Sequence, residues 1–306
     1  MAKTKLYDSA STEPFRISRS KIENFIRCPR CFVLNVKHGL KDIASPPFTI
    51  NTAVDAALKS EFDGYRETQT VPPVIEAAGL NLVPFKHENM DVWRSNFKGV
   101  QFDTDDFQVF GAVDDIWVNE AGELIVADYK ATSRKEAVTE LGEGGFYDSY
   151  RRQMEVYQWL LRKNGFKVSN TGYWLYVTAT KDQETFNGTL HFEQNLIAYE
   201  GDDSWIESTL DEIKQTLDEN WLPESGHDCD TCRYVKQRNQ MLLTYPEQDE
   251  QPEICATCHK PMSKAIYGMP AGDPGPGYVV MGCIMNGDGS DPQWVCEHCR
   301  EDESLG

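Results

Sequence analysis

Hydrophobic and polar positions along the chain fall into helical and extended stretches, and their order predicts the layers of the fold. Ser20-Lys21-Ile22-Glu23 is a capping-box pattern that opens a short helix through Arg27. Pro46-Pro47 marks a loop, after which Asn51 is an N-cap for a helix over 52–65. Residues 71–99 have no clear period and read as a loop-rich insertion with a short helix around Asp91-Val92-Trp93. Residues 107–133 then form two runs rich in Val, Ile, Phe and Trp, separated by Asn119-Glu120-Ala121-Gly122-Glu123, which reads as a hairpin. A Glu- and Gly-rich stretch over 135–148 reads as flexible, and a helix over 150–163 ends at Gly165. Residues 171–179 read as an aromatic strand with 185–192 as a weaker partner. Ile206, Leu210, Ile213 and Leu217 stripe an amphipathic helix over 203–220. Helix, hairpin, helix, strand pair and helix in that order predict an α/β core with a mixed sheet between helices.

The hairpin carries the candidate chemistry. Asp114, Asp115 and Asp128 sit inside its apolar runs, although Asp is depleted in strands because its short side chain competes with the ladder. If Val118 faces Leu124 across the loop, Asp114 falls opposite Asp128, and directly opposed residues share a face. Lys130, two residues further on, projects from that same face. Two carboxylates and an ammonium would converge there, and the carboxylates would repel unless a cation lay between them. Mg2+ suits such a site, since it takes one or two protein carboxylates and fills the rest of its shell with water and phosphate oxygens. The bland alternative is an exposed ion pair between Asp128 and Lys130, contributing little.

Composition narrows the class. A chain of 306 residues with 40% hydrophobic content makes one large domain or two. No apolar run reaches the length of a membrane span, and residues 1–15 lack the apolar centre of a signal peptide, so a soluble, cytoplasmic protein without membrane contacts is expected. Residues 1–15 are expected to form a disordered arm. The net charge of −19 argues against a simple polyanion binder, because phosphate affinity comes from Lys and Arg. Residues 1–40 nevertheless carry eight bases against three acids, and Arg134, Lys135, Arg151 and Arg152 follow the hairpin. A local basic rim on an acidic body is expected, with weak, salt-sensitive binding.

Gly111-x-x-Asp114, then Asp128-Tyr129-Lys130, then Gln153-x-x-x-Tyr157 resemble the PD-(D/E)xK nuclease superfamily in its RecB-like branch, over roughly Arg16 to Arg233. The resemblance implies a restriction-endonuclease-like core and a metal-dependent nuclease acting on DNA. It makes Asp114, Asp128 and the Tyr129 carbonyl ligands of Mg2+ or Mn2+, with Lys130 orienting the attacking water or stabilising developing charge. Gln153 and Tyr157 would support the site and contact substrate, although Tyr157 also suits a core packed with Leu160 and Leu161. Asp55 stands where the family usually has His or Glu facing the metal. It equally suits a first helical turn, with Lys59 as its partner four residues on. Two other classes remain open: a catalytically inactive nuclease fold kept as a nucleic-acid or protein scaffold, and an iron–sulfur redox sensor.

Eight of nine cysteines form four C-x-x-C pairs, which in a reducing compartment points to metal rather than disulfides. Cys28 and Cys31 follow the first helix, and Cys229 and Cys232 follow the last. One four-thiolate site from both pairs would staple the ends of the core together. Such a site takes Zn2+ or an iron–sulfur cluster, and the resemblance leans to a four-iron cluster, although the family spacing is one cysteine and three rather than two and two. After an acidic linker over 245–254, Cys255, Cys258, Cys296 and Cys299 bracket a Gly- and Pro-rich region that reads as a zinc-ribbon-like domain over 255–306. Cys283, His259 and His298 are spare and not expected to be ligands. The nuclease-like domain is therefore expected over 16–244. Residues 249–306 hold ten acids against three bases, a balance that suits a protein partner better than DNA.

Overall fold

A computed structural model describes residues 5–41, 49–181, 185, 187–242, 252–270, 272–282 and 289–303. The expected loop at Pro46-Pro47, most of the linker over 245–254, and Cys283 lie outside these residues. The chain divides into two compact units, Met1–Cys232 and Arg233–Gly306.

The first unit opens with β1 (Phe15–Ser18), α1 (Arg19–Arg27), α2 (Pro29–Val36), α3 (Thr49–Thr68), α4 (Pro73–Ala77), β2 (Val83–Pro84) and α5 (Met90–Trp93). Then follow β3 (Val100–Asp103), β4 (Phe107–Gly111), β5 (Asp115–Val118), β6 (Leu124–Arg134), α6 (Gly145–Lys163), β7 (Thr171–Thr180), β8 (Phe192–Glu200), α7 (Ile206–Asp218) and α8 (Asp230–Leu242), which crosses the boundary between the units. A five-stranded sheet runs β2-β5-β6-β7-β8, and a three-stranded sheet runs β1-β4-β3. In the larger sheet only β6 and β7 are parallel, so the chain must cross over between them, and α6 is that crossover. This is the mixed sheet between helices expected of a restriction-endonuclease-like fold.

Alternation along β6 splits the core into two. Ile125, Ala127 and Tyr129 pack with Trp117, Leu58 and Phe62 on the α3 face. Val126 packs with Ile116, Trp174, Met154 and Leu160 on the α6 face. Asp128 and Lys130 continue the α6 face, because successive side chains point to opposite sides.

The hairpin register is the expected one, with Val118 facing Leu124 and Asp115 facing Ala127. The ladder stops there, however. The run before the loop is broken at 112–114, so Phe107–Gly111 pairs in the smaller sheet with β1 and β3, and Asp114 lies in the break rather than opposite Asp128 in a ladder.

Other expectations shift as well. Ser18, not Ser20, caps α1 by accepting from Lys21 N at 3.3 Å, and Glu23 instead pairs with both Nε and Nη2 of Arg152 at 2.8 Å. Asn51 lies inside α3, where its side chain donates to the Ala131 carbonyl rather than capping. The expected disordered arm is held from residue 5 onward. Tyr7 N donates to Val36 O, Tyr7 OH donates to Asp218, and the Tyr7 ring meets Phe15 edge-on. The strand expected over 185–192 is β8, which begins at Phe192.

In the second unit, β9 (Ser263–Tyr267) lies between β10 (Tyr278–Gly282) and β11 (Trp294–Val295), followed by α9 (Glu297–Glu303). β9 and β10 pair in parallel, whereas an inserted hairpin would pair antiparallel, so this small cysteine-bearing domain departs from the expected ribbon.

Candidate functional site

Asp128 is fully buried near the middle of β6, and neither of its oxygens receives a hydrogen bond of good geometry. The ammonium of Lys130 pairs with one of them. Burial pushes the Asp128 carboxyl up to about 6, and the Asp114 charge adds to the rise against the pull of Lys130 and Arg19. An acid in that state is short of positive charge.

Asp114 is fixed from two sides. Its Oδ2 accepts the backbone N–H of Tyr129 at 3.0 Å, and its Oδ1 meets Lys59 Nζ at 3.2 Å. Lys59 also holds Asp55 at 2.9 Å, so the i,i+4 pair expected within α3 forms and draws Asp55 towards Asp114. Asp55, Asp114 and Asp128 do not close into a set with all ligand atoms within 4.8 Å; among the described residues only the two cysteine quartets do. Asp55 is held by Lys59 in this arrangement.

Lys130 is steered by α6. Gln153 Oε1 lies 3.4 Å from its ammonium, Gln153 Nε2 donates to Tyr157 OH at 3.1 Å, and the Tyr150 ring lies 4.5 Å beneath it. Tyr157 is both a core residue and the end of this chain, buried and touching Gly111. A Cβ at Gly111 would sit 2.6 Å from Tyr157 Cε1, which is why the break before Asp114 begins with glycine.

Sequence reasoning missed two cations and one acid here. Lys59 was read only as a partner for Asp55. Arg19, the first residue of α1, lies close enough for its charge to lower the Asp128 carboxyl and the Tyr150 and Tyr157 phenols, and its Nε is buried without a hydrogen-bond partner. Asp115 points to the α3 face, fully buried between Arg66 Nη2 at 2.6 Å and Arg94 Nη2 at 3.1 Å. Its other oxygen accepts Tyr129 OH at 2.7 Å. Tyr129 thus braces both acids of the pair, Asp114 by its amide and Asp115 by its hydroxyl. The Asp114-Asp115 pair inside an apolar run was the available signal.

The sequence profile of the PD-(D/E)XK nuclease superfamily matches residues 75–237. This chain belongs to that superfamily. No curated protein matches it. The matched stretch of this PD-(D/E)XK chain includes Asp114, Asp128, Lys130, Gln153 and Tyr157. Arg19, Asp55, Lys59, Cys28 and Cys31 precede it. PD-(D/E)XK nucleases use divalent metals, and an under-compensated buried carboxylate beside a second acid is a donor set that fits one.

The cysteines form two quartets. Cys28, Cys31, Cys229 and Cys232 come together within the first unit, with three Sγ–Sγ separations of 3.5–3.8 Å and all six within 4.8 Å. Burial pushes the Cys28 thiol up, but N–H groups of Cys31 and Gly226 outweigh it and bring it down to about 7. Gly226 has no space for a side chain, since a Cβ would lie 2.1 Å from the Arg27 carbonyl oxygen. Cys255, Cys258, Cys296 and Cys299 form the second quartet, with Cys255–Cys299 at 3.8 Å and Cys258–Cys296 at 3.4 Å. His259 turns through a positive φ of 58° after the first pair, and His298 Nε2 lies 3.2 Å from Lys260 Nζ; neither joins the quartet.

Proposed function

We propose that this protein is a metal-dependent deoxyribonuclease in which Asp114, Asp128 and the Tyr129 carbonyl hold Mg2+ or Mn2+. The observation that carries the reading is Asp128, a buried carboxylate whose nearest compensating charge is the lysine of the same motif. A bound divalent ion supplies Lewis-acid polarisation of the phosphate and a more acidic water. The chain supplies the rest. Tyr129 N holds Asp114 in place, Gln153 and Tyr150 aim Lys130 at the reacting phosphate, and Lys130 and Arg19 bring positive charge to the oxygens where negative charge grows.

The test is Mg2+- or Mn2+-dependent digestion of labelled DNA by wild type, Asp128→Ala and Lys130→Ala. Removing a transition-state charge partner typically costs about a hundredfold to a thousandfold in rate. Equal degradation by all three proteins would identify a contaminant and put the scaffold reading in front. One observation favours that second reading: Lys59 and Lys130 already pair with Asp114 and Asp128 within the protein.

At the first cysteine quartet we favour Zn2+ over an iron–sulfur cluster. Four thiolates about 2.3 Å from one ion stand about 3.8 Å apart in a tetrahedron, close to the separations here. A four-iron cluster sets an iron–sulfide core between its thiolates and spreads them wider. Zn2+ suits the second quartet on the same ground. Metal analysis of anaerobically purified protein should give two zinc per chain, without absorption near roughly 400 nm.

A further inference from the structure

The start of α6 carries an aromatic cluster whose outer ring, Phe146, has no part in the chemistry proposed above. Phe146 meets Tyr150 at 4.7 Å and Tyr147 at 5.7 Å between ring centroids, and Tyr147 meets Tyr150 at 6.5 Å. Phe146 is 64% exposed. Tyr150 is the ring beneath Lys130, so the cluster is continuous with the site, and at its other edge Arg134 Nη2 donates to Tyr147 OH at 2.9 Å.

The cluster is built rather than loose. Arg151 ties α6 to the preceding loop, with Nη2 donating to Gly142 O at 2.7 Å and Nη1 paired to Asp148 at 2.7 Å. The Tyr147 ring packs against Gly142, where a Cβ would come within 2.7 Å of it. The glycines of the loop approaching α6 thus include one that the ring itself requires.

We propose that Phe146, backed by Tyr147 and Tyr150, is a stacking platform for an unpaired base of single-stranded DNA whose neighbouring phosphate lies at Lys130. The proposal rests on the nuclease reading for the presence of a strand in the site, and adds which kind of strand. A protein of net charge −19 has little to offer a phosphate backbone outside its local cations. Base faces stacked on aromatic rings give affinity that needs no net positive charge, and a duplex keeps those faces covered. Lys130 lies at the edge of the platform nearer the site and Arg134 at the other, so the backbone of the same strand would run between two cations.

The test uses the full chain with Asp128→Ala as background, so that binding is measured without cleavage. Oligonucleotides carry 2-aminopurine, and titrations compare a single strand with a blunt duplex. The single strand should bind more tightly and its fluorescence should be quenched. Adding Phe146→Ala should weaken single-strand binding about tenfold to a hundredfold, the loss of one base–aromatic stack. Phe146→Trp should restore it. In cleavage by the otherwise wild-type chain, Phe146→Ala should raise KM far more than it lowers kcat. Unchanged single-strand binding in Phe146→Ala, or equal binding of the blunt duplex, overturns the platform. If wild type cuts no DNA, the nuclease reading falls on its own, and the binding titration still decides the platform.

Discussion

Replacing Asp115 with Asn should unfold more of this protein than replacing any acid of the site itself. Asp115 is fully buried and faces two guanidiniums that are themselves under a tenth exposed, Arg66 at 2.6 Å and Arg94 at 3.1 Å. Burial pushes its carboxyl above the ordinary range, while the two arginines and Tyr129 OH pull it back. Removing one member of a buried charge network leaves the others uncompensated, which typically costs about 3–5 kcal/mol. In a unit of this size, about 2–4 °C per kcal/mol places the fall in melting temperature at about 6–20 °C. Asp63 retains contacts to both arginines, at 3.3 Å to Arg66 Nε and 2.7 Å to Arg94 Nη1, but it is half exposed and compensates only in part. The control is Asp55→Asn, which removes a partly exposed i,i+4 pair worth about 0.5 kcal/mol or less. Thermal and urea melts followed by circular dichroism, without chelator, measure both. A loss below about 1 kcal/mol for Asp115→Asn would refute the reasoning, because it would mean the buried guanidiniums find water or another partner.

Gly111→Ala should destabilise by about 1–3 kcal/mol, since the new methyl overlaps Tyr157 and nothing there is loose enough to yield cheaply; it should also slow cleavage by shifting Gln153 and Lys130, read as a fall in kcat. Lys59→Met should strengthen Mn2+ binding about tenfold by removing a cation 3.2 Å from Asp114, measured by calorimetry; weaker binding would make Lys59 a support of the site rather than a competitor for it. Cys28→Ser and Cys255→Ser should each lower the zinc content from two per chain to one, and the double variant should hold none. Arg19→Ala should leave the melting temperature within about 2 °C and lower kcat, because its guanidinium makes no hydrogen bond or ion pair among the described residues.

What the sequence revealed of this site follows from how local each constraint is. The register of β5 against β6 was legible because a five-residue connection fixes it, and the alternation that puts Asp128 and Lys130 on one face follows from strand geometry. The departure of Asp114 from the ladder was not legible. It depends on Gly111 yielding to Tyr157, a residue more than forty positions later in α6. Both cysteine quartets were legible from spacing alone, since only thiolates of matching number and separation serve a metal. Arg19, Lys59, Arg66 and Arg94 reach the site from helices and turns set by the tertiary fold, so their spacing in the chain carries no mark of it. β8 was misplaced because it is an edge strand with a single buried residue, and the consecutive polar run Glu193-Gln194-Asn195 near its start breaks the alternation that signals a strand.

The charge balance of the site would explain how a chain so acidic could hold a phosphate ester at all. The −19 total belongs to the whole chain, whereas at the site Lys59 pairs with Asp55 and Asp114, Lys130 pairs with Asp128, and Arg19 adds a third positive charge nearby without an ion pair. A site balanced in this way neither repels a phosphodiester nor draws one strongly. Binding of a divalent ion between Asp114 and Asp128 would tip it to net positive, so the strand and the ion should bind cooperatively, each favouring the other by the same factor. Without the ion, the electrostatic hold on a backbone is weak, and affinity must come from groups that grip something other than phosphate. Single-strand binding should therefore persist in the absence of Mg2+ and depend on Phe146, while duplex binding should appear only with the ion present and fall steeply with salt. A salt slope that is the same with and without Mg2+ would mean that the lysines, not the metal, carry the phosphate.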